Sequence, residues 1–426
     1  MIGTLNSSKK DAAIIGGGIS GLLAAHTLIQ LGYEVSLYES THRLGGLIKT
    51  EKSDFGISEK AANSVLASVP VIDLFNELRT ELCPVQKGSN KKYVLRGGVP
   101  RTLPLTVTEL FATIGKAFFS RSDGQASLSM KDWALKHLGA AALNYLIDPM
   151  LKGIYAAEPQ QISVSAAFPK LVVPKGHSLI SGLAFCHEKK KSKRGPRAQM
   201  MAPRGGMEAL VNALESSIKP KLRELKLGYT ALNLPKASNV VICVPAYAAA
   251  AFFRTEEQND LANALEQVHY TPLITSTVFY HRKEVSRLPM GVGILFPSIE
   301  KRNLLGILCS SDSFPGRVTD PSLLRSFTVL LGGTARGDIM NLDDERVSFV
   351  IREELEKLFQ VKAPPIHINN HRWTKAIPIY SSQIEKVWEV ARATWCAQPG
   401  KILFGNYTGQ VSIRGLIEEA RELLIE

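Results

Sequence analysis

Residues 12–46, AAIIGGGISGLLAAHTLIQLGYEVSLYESTHRLGG, constrain the fold of this chain more than any other stretch. A short apolar strand over 12–15 runs into Gly16-x-Gly18-x-x-Gly21. A helix follows with apolar Leu22, Leu23, Ala25 and Leu28, and Gly32 stands where a left-handed C′ residue stops it. A second strand over 35–38 ends at Glu39. Strand, glycine turn, helix, strand and acid follow in the order of a dinucleotide site. Gly16 permits the tight turn, Gly18 lets a pyrophosphate approach the backbone, and Gly21 lets helix and strand pack closely. Gly17, Ile19 and Ser20 complete the candidate phosphate cradle. There, free N–H groups and the positive end of the helix dipole favour an anion. Glu39 is spaced to accept hydrogen bonds from a ribose diol.

The chain has 426 residues, enough for two or three domains around a large core. No run of about 18 apolar residues occurs, so no transmembrane helix is expected. The N-terminal apolar stretch is short and merges with the glycine turn, so it does not read as a signal peptide. The expected location is cytoplasmic, with peripheral contact at the inner face of the cell membrane as an option. Cys83, Cys186, Cys243, Cys309 and Cys396 are scattered, without a C-x-x-C or a histidine cluster. Neither a disulfide framework nor a metal site is expected. The net charge of +12 fits an anionic ligand or an anionic membrane surface. No nucleic-acid motif accompanies it, so no nucleic-acid partner is expected. The densest basic run, Lys189 to Arg194, reads as a solvated loop or as a contact with anionic lipid.

Further along, Asn63 opens a stretch whose apolar positions Val65, Val69, Ile72, Leu74 and Phe75 are spaced as in a helix. Residues 92–104 read as a hairpin turning at Gly97-Gly98. Residues 107–121 form an amphipathic helix with Leu110, Phe111, Ile114 and Phe118 on one face. Its first reading is a core-facing helix, and its alternative is a helix lying at a membrane interface. Another helical region covers 128–151 and is punctuated by Asp148-Pro149. A helix over 207–218, a buried strand over 240–244, β-rich segments over 275–331 and a helix over 343–359 follow. A strand at 402–404 and a closing helix over 413–424 end the chain. The two ends and the middle strand read as one doubly wound α/β domain, with the remainder inserted into it.

Two resemblances narrow this reading. Arg43-Leu44-Gly45-Gly46, directly after the ribose acid, resembles the arginine and double glycine of FAD-dependent amine-oxidase-type flavoproteins. Six further blocks, in order, resemble the protoporphyrinogen oxidase family, including its bacterial coproporphyrinogen oxidases. They are Tyr93 to Gly98 with Leu103-Pro104; Ile147-Asp148-Pro149 through Gly153-Ile154-Tyr155-Ala156; Pro203-Arg204-Gly205-Gly206-Met207; Gly306 to Ser311 with Phe314-Pro315-Gly316-Arg317; Trp373-Thr374-Lys375-Ala376-Ile377-Pro378-x-Tyr380; and Leu403 to Tyr407.

That resemblance implies a Rossmann-like FAD domain over 1–75, 202–253 and 373–426. It implies an inserted β-sheet substrate domain over 76–106 and 254–372, and a helical membrane-facing domain over 107–192. A homodimer is also implied. The implied reaction is oxidation of a porphyrinogen to a porphyrin with O2 as acceptor. FAD carries that chemistry, so no catalytic side chain and no metal are nominated. Cofactor contacts implied by position are Leu47, Ala61, Ala62, Asn63, Ser64, Trp373, Gly405, Asn406, Val411, Ser412 and Ile413. The substrate's propionates call for an arginine, with Arg101 as first choice and Arg96 as second; a solvated arginine is the alternative for each. Leu305 and Ile307 are candidate floor residues of an apolar pocket.

The chain departs from the family pattern at Ala61-Ala62, where Gly-Pro is usual, at Gln410, where glycine is usual, and at Glu419, where a small residue is common. Between 219 and 239 the usual β-meander is trimmed to about one strand. Two other readings stay open: a different flavin oxidase, of amine or carotenoid type, on the same fold, and a non-catalytic FAD- or porphyrin-binding relative, which the Ala61-Ala62 and Gln410 changes suggest.

Overall fold

The structure is a computed structural model describing residues 1–124, 128–182, 199–231, 233 and 235–422. The basic run from Lys189 to Arg194 and Cys186 lie outside the described residues. Five parallel strands form the first sheet, in the spatial order Glu224–Lys226, Glu34–Tyr38, Asp11–Ile15, Asn239–Ile242 and Lys401–Leu403. In chain order this is 3-2-1-4-5, a doubly wound sheet. The central strands are covered on both faces, which is why Asp11–Ile15 and Asn239–Ile242 read as mostly apolar runs. Ile14, Leu37 and Val241 pack under the helices Ile19–Gln30, Glu208–Ile218 and Ile413–Glu422. Val240 and Ile242 pack under Ala246–Thr255, Asn259–Glu266 and Ser382–Ala393. Gly32, at φ +78°, ends the first helix as its spacing predicts. The trimmed stretch between 219 and 239 holds the single strand Glu224–Lys226.

Seven strands form the second sheet, in the order His367–Pro378, Tyr270–His281, Leu324–Gly332, Leu304–Leu308, Gly293–Leu295, Lys92–Arg96 and Val99–Arg101. All neighbours are antiparallel except Gly293–Leu295 with Lys92–Arg96. The hairpin turns on Gly97 and Gly98, both at positive φ, as a tight two-residue turn requires. One face of this sheet is sealed by the helix Asp344–Phe359. There Val347, Ile351 and Leu355 share a core with Leu95, Ile274, Ile294, Ile307 and Val329. Alternation along each strand sends the intervening side chains to the opposite face, toward the first sheet's domain. The strand His367–Pro378 stays paired to Pro378, so this sheet runs past residue 372.

Three readings are corrected. Residues 63–75 are not one helix: Val65–Leu66 is a strand, and the helix Val69–Glu77 starts with Pro70 in its first turn, where a missing N–H costs nothing. Asp148-Pro149 does not end its helix. A π-helical stretch, Leu143–Ile147, widens the turn before the proline and the helix continues as Asp148–Tyr155. The helix Val107–Phe119 is not core-facing. Ala117 is its only buried residue, whereas Val107, Phe111, Ile114, Phe118 and Phe119 are exposed. Deeper in the same region, Trp133, Leu151 and Tyr155 share one core with Phe253, Leu261 and Ile384, so the helical insert is continuous with the back of the first sheet.

Candidate active site

Because the first sheet is all parallel, the carboxyl ends of its strands lie along one edge. The Gly16–Gly21 turn, Glu39 and the segment 405–413 therefore meet there. Gly16 takes φ +103°. A Cβ on Gly21 would lie 1.8 Å from the Gly16 carbonyl, so this glycine is required by packing. At Gly18 a Cβ would find only the Gly46 Cα, at 3.9 Å, so this glycine lines open space. The helix Ile19–Gln30 starts with no side-chain cap and no acidic residue in its first turn, leaving its first N–H groups available to an anion.

The second loop is laid directly on the first. Gly45 N–H donates to the Gly17 carbonyl at 2.8 Å, and Gly18 bridges Gly45. Arg43 donates to the carbonyls of Leu44, Gly46 and Ile48, so it holds this loop in shape. Leu47, at its tip, is exposed. The Glu39 carboxylate accepts from Gly17 N–H at 2.6 Å and from Thr41 N–H at 2.8 Å, poised at the strand's end beside the turn. A cradle of facing glycines, uncapped helix N–H groups and an adjacent buried carboxylate fits the adenosine diphosphate part of a dinucleotide.

Ala61, Ala62, Asn63 and Ser64 form a half-buried loop lying against the open face of the second sheet. The Lys60 carbonyl accepts from Trp373 Nε1 at 2.7 Å and from Thr275 Oγ1 at 2.9 Å. Asn63 Oδ1 accepts from Thr328 Oγ1 at 3.0 Å. A buried ion pair locks the loop from behind. Glu59 and Arg317, each 2% exposed, are in contact, and the Arg317 guanidinium also donates to the Asn63 carbonyl at 2.8 Å. Glu59 further accepts from Met207 N–H at 2.8 Å and Thr50 Oγ1 at 2.7 Å. Sequence reasoning passed over Thr275, Thr328, Glu59 and Arg317. Glu59 and Arg317 stand in or beside quoted motifs, but nothing local marks them as partners. At the end of the first sheet, Gly405 N–H donates to Thr408 Oγ1, and the Asn406 carbonyl accepts from Tyr380. Val411 is half-buried, Ser412 caps the last helix by accepting from Gly415 N–H, and Ile413 opens it. Gln410 rests against Gly415, where an added Cβ would come 2.3 Å from Oε1.

The register places one row of residues across the open face of the second sheet. Arg101 pairs with Val94, Val94 with Leu295, Leu295 with Gly306, Gly306 with Leu330, Leu330 with Thr275, and Thr275 with His371. Paired residues point the same way. Six steps of about 4.8 Å make this floor roughly 29 Å wide. At the His371 end the 60–64 loop covers it. There Trp373 meets the His371 ring edge to face at 4.2 Å, and burial, then Lys60, lowers the His371 pKa. At the other end the helix Asp148–Tyr155 and the turn before it cross above. Tyr145 stacks under the Arg96 guanidinium at 4.3 Å. Arg96 is also paired bidentately with Glu109, which leaves Arg101 as the exposed arginine of the two. Leu305 packs with Ala156, Leu273 and Ala376 on the open face. Ile307 does not join it: this residue lies on the sealed face and is core. A register shift between Leu304 and Gly306 sets which residues of this strand face the cleft.

The family model for flavin containing amine oxidoreductase matches residues 19–422. The chain belongs to that family. Protoporphyrinogen oxidase 2 of Arabidopsis thaliana is 27% identical, over 95% of this chain and 91% of its own length. Coproporphyrinogen III oxidase of Bacillus subtilis is 24% identical, over 98% and 97%. Among solved structures, an Exiguobacterium sp. 255-15 protein provisionally named protoporphyrinogen oxidase superposes with a TM-score of 0.75 at 20% identity, over 99% and 98%. Cyclohexylamine oxidase of Brevibacterium oxydans superposes with 0.67 at 16%, over 98% and 100%. The cofactor of this flavoprotein is FAD, and the glycine cradle with Glu39 is the part of the structure that fits its dinucleotide. Among the described residues no cluster of metal-ligating side chains occurs, and Cys83, Cys243, Cys309 and Cys396 are free thiols.

Proposed function

We propose that this chain oxidises protoporphyrinogen IX to its porphyrin, with FAD as cofactor and O2 as acceptor, in haem biosynthesis. The observation that carries the reading is the open face of the second sheet. An apolar floor at Leu305 and Leu330 ends on Arg101 at one side and on the loop beside Trp373 at the other. A flat apolar macrocycle needs such a floor, and its propionates need a guanidinium at the rim. The names of the near-full-length relatives support the same substrate class. The chemistry a bound FAD supplies is two-electron acceptance, renewed by O2, so removal of six electrons takes three turnovers. In this reading Gly16 to Gly21, Glu39, Gly45 and Gly46 hold the cofactor's phosphates and ribose. Ala61 to Ser64, Asn406 and Val411 to Ile413 surround its ring. Trp373 and Thr275 fix the loop through the Lys60 carbonyl, and Arg101 binds a propionate.

The same reading assigns the helical domain over 107–192 to peripheral membrane contact. Val107, Phe111, Phe118 and Phe119 of the helix Val107–Phe119, and Leu103 just before it, are all exposed on a chain of net charge +12. No described helix is long and apolar enough to cross a membrane. Coproporphyrinogen III is the second substrate reading, favoured by the Bacillus subtilis relative.

The test is anaerobic mixing of the FAD-loaded protein with each porphyrinogen while the flavin's visible band is followed. Bleaching by protoporphyrinogen IX, then recovery with porphyrin fluorescence on admitting air, is expected. Bleaching by coproporphyrinogen III alone moves the assignment to that substrate. Bleaching by neither overturns the porphyrinogen reading and leaves an amine-type oxidase.

A further inference from the structure

The helix that crosses the open face of the second sheet carries a lysine that the rest of the fold does not use. Lys152 is 8% exposed, with its stem buried and its Nζ still open to solvent, and it makes no hydrogen bond or ion pair among the described residues. The surrounding burial lowers its pKa, and no carboxylate of the described fold is in contact to offset that. Asp148 and Glu158 oppose that shift only from beyond ion-pair distance. Asp148 is already engaged, accepting from Ser298 N–H and Oγ at 2.7 Å each.

The helix geometry gives the direction of this stripe. Asp148, Lys152 and Ala156 follow at four-residue spacing and share one side. Asp148 grips the second sheet's domain at Ser298, and Ala156 packs with Leu305 in the floor cluster. Gly153 sits over Leu295, where an added Cβ would come 3.0 Å from Leu295 Cδ2. Leu295 belongs to the Arg101-to-His371 row. Lys152 therefore lies between two residues anchored on the cleft side, at the edge of the floor.

We propose that Lys152 is a substrate-binding residue, an internal cation that pairs with a carboxylate on the macrocycle's rim. The inference rests on the porphyrinogen reading for the identity of that carboxylate. With Arg101 at the outer rim and Lys152 inside, the floor holds two cations at different depths. A rigid macrocycle bearing several propionates is then fixed in rotation as well as in place. The ammonium donates three N–H groups and retains only weak help from Asp148 and Glu158, so a bound carboxylate supplies the partner the fold leaves out.

The test measures binding of the product porphyrins, which needs no turnover. Coproporphyrin III and its neutral tetra-amide are titrated against FAD-loaded wild type, K152M and K152R, with quenching of protein fluorescence as the signal. The expected result is that K152M weakens coproporphyrin about ten-fold or more, leaves the amide unchanged, and does not lower Tm. K152R is expected to retain most of the affinity. In turnover, K152M should raise KM more than it lowers kcat. Equal affinity of wild type and K152M for coproporphyrin overturns the proposal. So does an equal loss for acid and amide, or a lowered Tm with unchanged affinity, which marks a structural cation balancing Asp148. If wild type binds porphyrin through Lys152 but no porphyrinogen bleaches the flavin, the oxidase reading fails and the lysine assignment stands. If wild type binds no porphyrin, the lysine assignment fails.

Discussion

Removing either member of the Glu59–Arg317 pair should loosen the cofactor as well as the fold, and the two substitutions should rank in a definite order. Both side chains are 2% exposed, so neither can find water when its partner goes. Breaking such a pair from one side costs about 3–5 kcal/mol. Arg317→Met leaves the Glu59 carboxylate with two donors, Met207 N–H and Thr50 Oγ1, which places it near the lower end, at about 3 kcal/mol. Glu59→Gln leaves a cation with the Asn63 carbonyl and the face of Phe314 as its remaining support, and it already carries an unpartnered Nε. That change should cost nearer 5 kcal/mol. At about 2 °C per kcal/mol for a chain of this size, Tm falls by roughly 6 °C and 10 °C respectively. Because the guanidinium holds Asn63, FAD dissociation should quicken in both variants while the Gly16–Gly21 turn is intact. Thermal melts at matched scan rate and FAD release followed by flavin fluorescence read both effects. A Tm within 1 °C of wild type for Arg317→Met, or the reverse ranking, refutes the argument.

Three further outcomes are expected. Gly18→Ala should fold normally and bind FAD poorly, because its methyl points into the cradle, whereas Gly21→Ala should lose stability at or above the ~3 kcal/mol top of the usual overpacking range; apo-protein melts and FAD titration distinguish them. Glu51 has its carboxyl held at about 2, first by Lys60 and then, against the cost of burial, by Asn369. Its folded pKa is depressed, so its contribution is present above the unfolded value of 4.5 and is lost as pH falls toward about 2. Acid unfolding of Glu51→Gln should therefore be less steep across that window. Replacing Phe111, Phe118 and Phe119 with serine should abolish co-sedimentation with anionic vesicles and leave Tm unchanged, since all three side chains already face outward.

The dinucleotide cradle was legible because its physics is local. Gly16, Gly18 and Gly21 are adjacent to the strand and helix they serve, and Glu39 follows at the end of the next strand. The hairpin at Gly97-Gly98 was legible for the same reason. The helix Val107–Phe119 was half legible: its apolar stripe is real, but periodicity cannot say whether a core or a membrane lies opposite. Leu305 and Ile307 show the limit on strands. Both are apolar in a five-residue strand, and only its register against its neighbours tells that one faces the cleft and the other the core. The sequence puts Arg101 ahead of Arg96 as the propionate clamp, and Glu109 on the following helix, by pairing with Arg96, separates the two in the structure.

What remained illegible is what the second sheet builds across its strands. Arg101 and His371 lie at opposite ends of one register row, though 270 positions part them in the chain. Lys152 gains meaning only when a helix from a third segment crosses that row. Glu59 and Arg317 meet across 258 positions. Each of these groups is ordinary in its own sequence neighbourhood, and only the assembled sheet gives it its surroundings. Arg317 is paired by Glu59 within the fold, whereas the Lys152 ammonium, open to solvent, has no such partner among the described residues. A cation open to solvent on a mostly buried stem beside the floor is placed to meet an anionic ligand, and the comparison of wild type with K152M in porphyrin binding reads whether it does.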